Sequence, residues 1–314
     1  MSFEVVTLSD PTGGAVAKIA VGYGFNCYQF RVEHDSGFID AIWSERGFEE
    51  GDKRASGSGI PLLFPYPGRL RGRFLRWDGR EYPLEGDDGR GNAIHGFVLT
   101  RPWRVLEQSE SRVVGQFHAR QDEPRLLNCW PADFCITATY ELSGHTLHSS
   151  LLIENPDDKP LPCGLGTHPY FAVPLGGADG QACRVLLPAN RRWEAKDMLP
   201  TGQLLPLEQA EQLHVGLPLD GMSFDDVLSA LEFHSGWCKS HVFDPQSGRR
   251  LVLEFDQAFR ECVVYNPPHR QAVCVEPYTC VPNAPELEAT GVSTGLRVLA
   301  PGETLEAKVV MRVE

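Results

Sequence analysis

Short runs of alternating apolar and polar residues, broken every few positions by Gly or Pro, make up most of the chain. Period-two alternation reads as half-buried strand. It predicts strands at Glu4–Leu8, Ala15–Val21 and Cys27–Val32. Further strands are expected at Arg112–His118, Phe134–Leu142, His148–Glu154, Arg184–Pro188, His241–Phe243, Arg250–Phe255, Cys262–Asn266 and Glu306–Val313. Phe74–Leu84 reads as a hairpin, with Asp78-Gly79 supplying the two turn positions that need positive φ. The polar, Gly-rich stretch from Glu45 to Ser58 reads as a loop. Helical spacing is sparse, and Leu207–Leu213 and Asp225–Leu231 are the two short candidates. With no fixed-period repeat, low-complexity tract or linker, the pattern predicts one all-β domain over residues 1–314. Two packed antiparallel sheets with long loops at the rim and few short helices are its expected form.

Composition narrows the function classes. The 31 glycines and 24 prolines of the 314 residues are scattered, as frequent turns require. A formal net charge of −13 argues against nucleic acid or an anionic membrane surface as partner. No apolar run reaches membrane-spanning length. The nine cysteines include no C-x-x-C pair, their number is odd, and Met1-Ser2-Phe3-Glu4 lacks the basic and apolar regions of a secretory leader. A cytoplasmic protein with mostly reduced, buried thiols is therefore expected. Nothing in the sequence sets an oligomeric state.

A sandwich with few helices carries its chemistry on loops and strand ends, so polar residues in Gly, Pro or aromatic surroundings are the candidates. In Gly164-Leu165-Gly166-Thr167-His168-Pro169-Tyr170-Phe171, Pro169 disfavours the α region for His168 and the glycines permit a tight bend or close approach. This suits one imidazole fixed at a pocket mouth, or a buried histidine bonded to a carbonyl. Gly59–Arg69 is stiffened by Pro61, Pro65 and Pro67 and delivers Arg69 as a hydrogen-bonding fork. Arg71 and Arg73 share its parity and would lie on the same face of a continuing strand, where a solvated basic stripe is the preferred reading for both. In Asn92-Ala93-Ile94-His95-Gly96-Phe97, His95 fits a core or a site role equally. Asp225, in Phe224-Asp225-Asp226-Val227-Leu228, could cap a short helix. Val273-Cys274-Val275-Glu276-Pro277-Tyr278 ends an apolar strand in a carboxylate whose burial would raise its pKa toward the range of a general base.

Metal and nucleotide chemistry find little support. His145 and His148 stand at i, i+3 without a third ligand at a recognised spacing, and on a strand they would point to opposite faces. Neither a G-x-S-x-G, a Walker loop nor a dinucleotide fingerprint is present. Two histidines, a glutamate, an aspartate and an arginine without a cofactor motif suggest acid–base chemistry on an uncharged polar substrate.

Gly59-Ile60-Pro61 with Pro65-Tyr66-Pro67-x-Arg69, then Asn92–Phe97, Gly166–Phe171, Phe224-Asp225 and Val275-Glu276-Pro277 resemble, in order, the motifs of the aldose 1-epimerase (mutarotase) family. The resemblance runs from about residue 15 to the C-terminus. It implies a large antiparallel β-sandwich of the galactose mutarotase-like supersandwich type, with a sugar-binding groove on a concave face. It further implies Glu276 as the general base at the C1 hydroxyl and His168 as the general acid at the ring oxygen. His95 would hold the ring oxygen or anomeric hydroxyl, and Arg69 and Asp225 would bind other hydroxyls. No cofactor or metal is implied, and the partner is a small-molecule sugar. One position departs: Gly68 stands where many relatives carry Asn before the arginine. Interconversion of the anomers of a free aldohexose is the reading that follows. Two others stay beside it: a hexose-6-phosphate epimerase with Arg71 and Arg73 at the phosphate, and a carbohydrate-binding domain without catalysis.

Overall fold

A computed structural model describes residues 2–34 and 37–314. Its longest strands are those with the most regular alternation. In Thr304–Val313, Leu305, Ala307, Val309, Met311 and Val313 are buried while their neighbours face outward. Thr146–Glu154 pairs with it antiparallel, Ser150 opposite Lys308. Around this pair grows a nine-stranded sheet in the order Arg104–Gln108, Arg112–His118, Cys135–Ser143, Thr146–Glu154, Thr304–Val313, Arg250–Asp256, Trp237–Phe243, Arg184–Leu186, Leu217–Pro218.

A second, eight-stranded sheet runs Leu199–Pro206, Ala189–Lys196, Asp225–Leu231, Glu261–Tyr265, Ala272–Tyr278, Gly166–Thr167, Leu62–Leu63, with Tyr170–Ala172 also paired to the Ala272–Tyr278 strand. Its two faces have separate fates, because side chains alternate across a strand. Leu228, Cys262, Val264, Val273 and Val275 join the apolar cluster shared with the nine-stranded sheet. The opposite parity, Asp225, Val227, Val263, Tyr265, Glu276 and Tyr278, lines a pocket. A four-stranded sheet, Val6–Ser9, Ala15–Ala20, Asn26–His34 and Gly37–Asp40, adds residues such as Leu8, Ile19 and Phe30 to the same core. The fold is therefore the expected antiparallel β-sandwich. The helices Ala119–Asp122, Ala210–Val215 and Ala284–Glu288 are all short. Among the described residues no helix is long and apolar enough to cross a membrane.

Two local expectations are overturned. Asp225–Leu231 is a strand, not a helix. Phe224, Val227, Leu228 and Leu231 have the i, i+3, i+4, i+7 spacing of a helix face, but ladders on both sides, to Ala189–Lys196 and Glu261–Tyr265, override it. Asp225 consequently caps nothing and stands on the pocket face. The strand carrying Arg69 ends at Leu70, and Gly72 takes φ +70°, so Arg71 and Arg73 do not continue its face. They line a different depression beside Ala284–Glu288, where Arg71 pairs with Glu286 at 2.9 Å and Arg73 with Asp87 at 3.0 Å.

Candidate active site

The Ala272–Tyr278 strand supplies the pocket floor. Its residues 273 and 275 point into the core, so Cys274, Glu276 and Tyr278 share the other face. A proline inside an internal strand needs a place where its missing N–H is not wanted. Thr279 N–H donates to Leu165 O, so Pro277, of the same parity, turns its nitrogen to that side. There the partner strand is interrupted between Gly166–Thr167 and Tyr170–Ala172. The interruption holds His168-Pro169, and His168 N–H donates instead to Pro61 O at 3.0 Å. The break that accommodates Pro277 also lets the His168 ring reach Glu276.

His168 Nε2 lies 3.3 Å from Glu276 Oε1, and both residues are buried, 6% and 2% exposed. Tyr278 Oη donates to Glu276 Oε2 at 2.7 Å. The imidazole stacks on Tyr170 at 4.8 Å between centroids, with the Tyr265 and His95 rings edge-on at 6.3 and 5.6 Å. Tyr170 is itself pinned through its hydroxyl to Ser56 O. Burial pushes the Glu276 carboxyl well above its ordinary value, against the pull of the Tyr278 hydroxyl. Burial likewise lowers His168 to about 3, and Arg54 acts in the same direction. Both shifts disfavour charge, so burial favours a pair that holds one proton between them. The contact is a shared-proton pair rather than a fixed ion pair.

His95 enters from the opposite wall. It follows the two-residue strand Ala93–Ile94, which pairs with Arg69–Leu70, and its N–H donates to Gly68 O at 2.8 Å. Its backbone is left-handed, φ +67°. Gly96 must be glycine, since a Cβ there would stand 2.1 Å from Phe64 O. Burial, then the neighbouring His168 and Arg69, drive the His95 pKa down, so this imidazole is neutral. Its Nδ1 has no hydrogen-bond partner among the described residues.

Arg69 is held by its Nε to Asp88 Oδ2 at 3.0 Å. Asp88 is kept at about 2: burial would raise it, but donors from Asn92, Arg90 and Arg69 outweigh that. Asp225 stands across the pocket at its exposed rim. The structure thus brings all five expected residues, Arg69, His95, His168, Asp225 and Glu276, to one pocket.

Several pocket residues escaped the sequence reading. Arg54, from the presumed loop, lines the same pocket; it is exposed, bonds through Nε to Ser56 Oγ at 2.9 Å, and among the described residues meets no carboxylate within 4.0 Å. Nothing in the sequence marks it, because its place comes from packing between segments distant along the chain. Trp193 forms part of the wall, its indole N–H held by the fully buried Glu261 at 3.0 Å. Tyr278 was legible in principle, two residues beyond Glu276 on one strand.

The departure at Gly68 also has a structural account. Its φ is +65°, and a Cβ there would stand 2.6 Å from Pro282 Cγ. Pro282 occupies the ground beside Gly68 that a side chain would need. Gly68→Ala is expected to destabilise the protein by about 1–3 kcal/mol, from the left-handed backbone and the overlap together. Equilibrium urea unfolding measures it, and an unchanged midpoint would show the Pro282 ring to be free to yield.

The family model described as aldose 1-epimerase matches residues 6–312. An uncharacterised protein of Escherichia coli (strain K12), YphB, is 23% identical over 305 residues, 90% of this chain and 94% of that protein. Among solved structures, a galactose mutarotase-like protein from Clostridium acetobutylicum superposes with a TM-score of 0.85 at 21% identity, covering 100% of this chain and 99% of its own. Galactose 1-epimerase from Lactobacillus acidophilus superposes with a TM-score of 0.76 at 18% identity, covering 100% and 97%. Those likenesses carry the fold, and the match over residues 6–312 carries more: the chain belongs to the aldose 1-epimerase family.

Proposed function

We propose that the protein interconverts the α and β anomers of a free aldohexose by acid–base ring opening. The observation that carries this reading is the buried pair of Glu276 and His168, 3.3 Å apart in a pocket shared with His95, Arg69 and Asp225. A pyranose hemiacetal opens when a proton leaves O1 while another reaches the ring oxygen. Burial leaves the pair's one proton on Glu276; its transfer to His168 gives the reactive form, in which the Glu276 carboxylate accepts from the C1 hydroxyl and the imidazolium donates to the ring oxygen. The open aldehyde is left with a protonated Glu276 and a neutral His168. Rotation about C1–C2 and closure with the roles reversed give the other anomer. The pair holds one proton at the start and one at the end, so no outside acid or base is consumed. Neutral His95, Arg69 and Asp225 bind hydroxyls around the ring. Since these residues come from segments between positions 69 and 276, we take residues 1–314 as one functional domain.

Catalysis rather than mere binding is favoured by the energetics of the pair. Burying a carboxyl and an imidazole costs stability that a neutral sugar ligand would not require. The phosphate reading has lost Arg71 and Arg73, which line another depression, but Arg54 gives it a different foothold. A dianionic phosphate is usually met by two or more cationic or strong donors, and Arg69 is already engaged by Asp88. We therefore favour the free sugar. Anomer exchange measured by NMR on a free hexose and on its 6-phosphate decides between them. The expected result is faster exchange on the free hexose, with Arg71→Ala indistinguishable from the parent. A strong phosphate preference that disappears in Arg54→Ala would establish the second reading.

We also place the protein in the cytoplasm. All nine cysteines are free and eight are buried, as a reducing compartment would leave them. Thiol titration of denatured, unreduced protein is expected to find most of them free. Disulfides accounting for eight of them would instead mean an oxidising compartment.

A further inference from the structure

The face of the Ala272–Tyr278 strand that carries Glu276 also carries Cys274, two residues earlier and buried. Tyr170 pairs with Cys274 across the ladder, which brings His168, two residues before Tyr170, over the same ground. One nitrogen of His168, the Cys274 sulfur and one Glu276 oxygen all lie within 4.8 Å of one another. We propose that these three side chains form a binding site for a thiophilic divalent cation of the Zn²⁺ class, and that an ion bound there stops the enzyme reversibly. The effect on turnover rests on the acid–base reading of Glu276 and His168; the site itself does not.

The donor set is the first argument. Imidazole nitrogen, thiolate and carboxylate suit Zn²⁺ and its borderline-soft neighbours, whereas Mg²⁺ and Ca²⁺ prefer oxygen alone. Spacing is the second. Zn–N of about 2.0–2.1 Å, Zn–S of about 2.3 Å and tetrahedral angles put ligand atoms about 3.3–3.7 Å apart. His168 Nε2 and Glu276 Oε1 already stand 3.3 Å apart, and the sulfur has at most about 1.5 Å to close, within reach of a small side-chain rotation. His168 and Glu276 line the pocket, while Cys274 is fully buried.

Charge decides which ion can enter. A buried site cannot carry an uncompensated charge. A divalent cation with one thiolate, one carboxylate and one neutral imidazole sums to zero. Binding therefore releases two protons, the one shared by Glu276 and His168 and the one on the thiol. A thiol must lose its proton to coordinate, so only a cation with strong affinity for sulfur is held there. The other His168 nitrogen, Nδ1, has no hydrogen-bond partner among the described residues. Resident zinc sites almost always anchor that nitrogen, and its freedom here marks an ion that comes and goes. While bound, the ion occupies the Glu276 oxygen and the His168 nitrogen that must otherwise exchange protons with the sugar.

The test is a Zn²⁺ titration of anomer exchange in the parent and in Cys274→Ser, joined to absorption spectra with Co²⁺ as a substitute ion. The parent is expected to lose activity with Zn²⁺ and regain it on adding chelator. Cys274→Ser is expected to need at least about tenfold more Zn²⁺ for the same fractional inhibition of its own exchange rate. A cobalt–thiolate charge-transfer band is expected in the parent and absent from Cys274→Ser. The spectra read the site even if the protein exchanges no anomers, so failure of the catalytic reading and failure of the site are separate results. Should Cys274→Ser not fold, Cys274→Ala is measured the same way. Equal inhibition of parent and variant, or no thiolate band in the parent, overturns the proposal.

Discussion

Glu276→Gln is expected to slow anomer exchange by about 10²–10⁴-fold, the range that a positioned general base supplies, while the far-ultraviolet circular dichroism stays that of the parent. The amide is nearly isosteric, and its carbonyl can still accept from Tyr278, which now donates at 2.7 Å. It cannot take a proton. Parent-like exchange in this variant would falsify the assignment of the base. The same variant has a thermodynamic signature that does not depend on activity. Unfolded, the two side chains titrate at their ordinary 4.5 and 6.5. Together they then hold two protons below 4.5, one between, and none above 6.5.

Folded, the pair holds one proton from about 3 up to the raised carboxyl value. At any pH above 6.5 and below that raised carboxyl value the folded state binds one proton more than the unfolded state, and there the pair's contribution to stability falls by about 1.4 kcal/mol per pH unit. In Glu276→Gln neither state holds a proton there once His168 is neutral in both, and that slope vanishes. The difference in unfolding free energy between variant and parent is thus expected to move in the variant's favour as pH rises above 6.5, until the folded carboxyl ionises. Between 4.5 and 6.5 the parent pair contributes no slope, because both states hold one proton. Parallel stability curves above pH 6.5 would show Glu276 to be ionised in the folded parent.

The strands were legible wherever one face is buried and the other is not. Thr304–Val313 and Thr146–Glu154 alternate because they lie in a sheet with one wet side. Asp225–Leu231 was misread for the complementary reason. It lies between two partner strands with residues of both parities partly covered, so period two is blurred and an accidental helical spacing remains. The Arg71 and Arg73 expectation failed on one turn: Gly72 redirects the chain, and parity carries no information past a bend. At the site, each expected residue lay in a short motif with Gly, Pro or aromatic neighbours, and such neighbours mark places where backbone geometry is constrained. Arg54 lay in a polar stretch with no such mark, and its place beside His95 and His168 comes from packing distant in sequence. Cys274 was visible as a letter, but its closeness to His168 depends on register across a ladder, which no spacing along the chain discloses.

His168→Gln alone is expected to cost about 10²–10⁴-fold in exchange, the share of one general acid, but the informative variant is the double one. If Glu276 and His168 passed protons independently, Glu276→Gln with His168→Gln would lose the product of the two single losses, about 10⁴–10⁸-fold. At 3.3 Å with one proton between them, they are not independent. Ring opening needs the carboxylate and the imidazolium at the same moment, and removing either partner already abolishes that state. The double variant is therefore expected to fall within about tenfold of the slower single variant, as in other sites whose residues act as a unit. Glutamine at 168 leaves an amide that can still hydrogen-bond toward position 276, which limits collapse of the stack on Tyr170. Unfolding midpoints of all four proteins separate lost chemistry from lost fold. Exchange measured by NMR line shape or magnetisation transfer on one free hexose closes the cycle. A double loss equal to the product of the singles would mean that the two groups serve different steps, and the shared-proton mechanism would have to be given up.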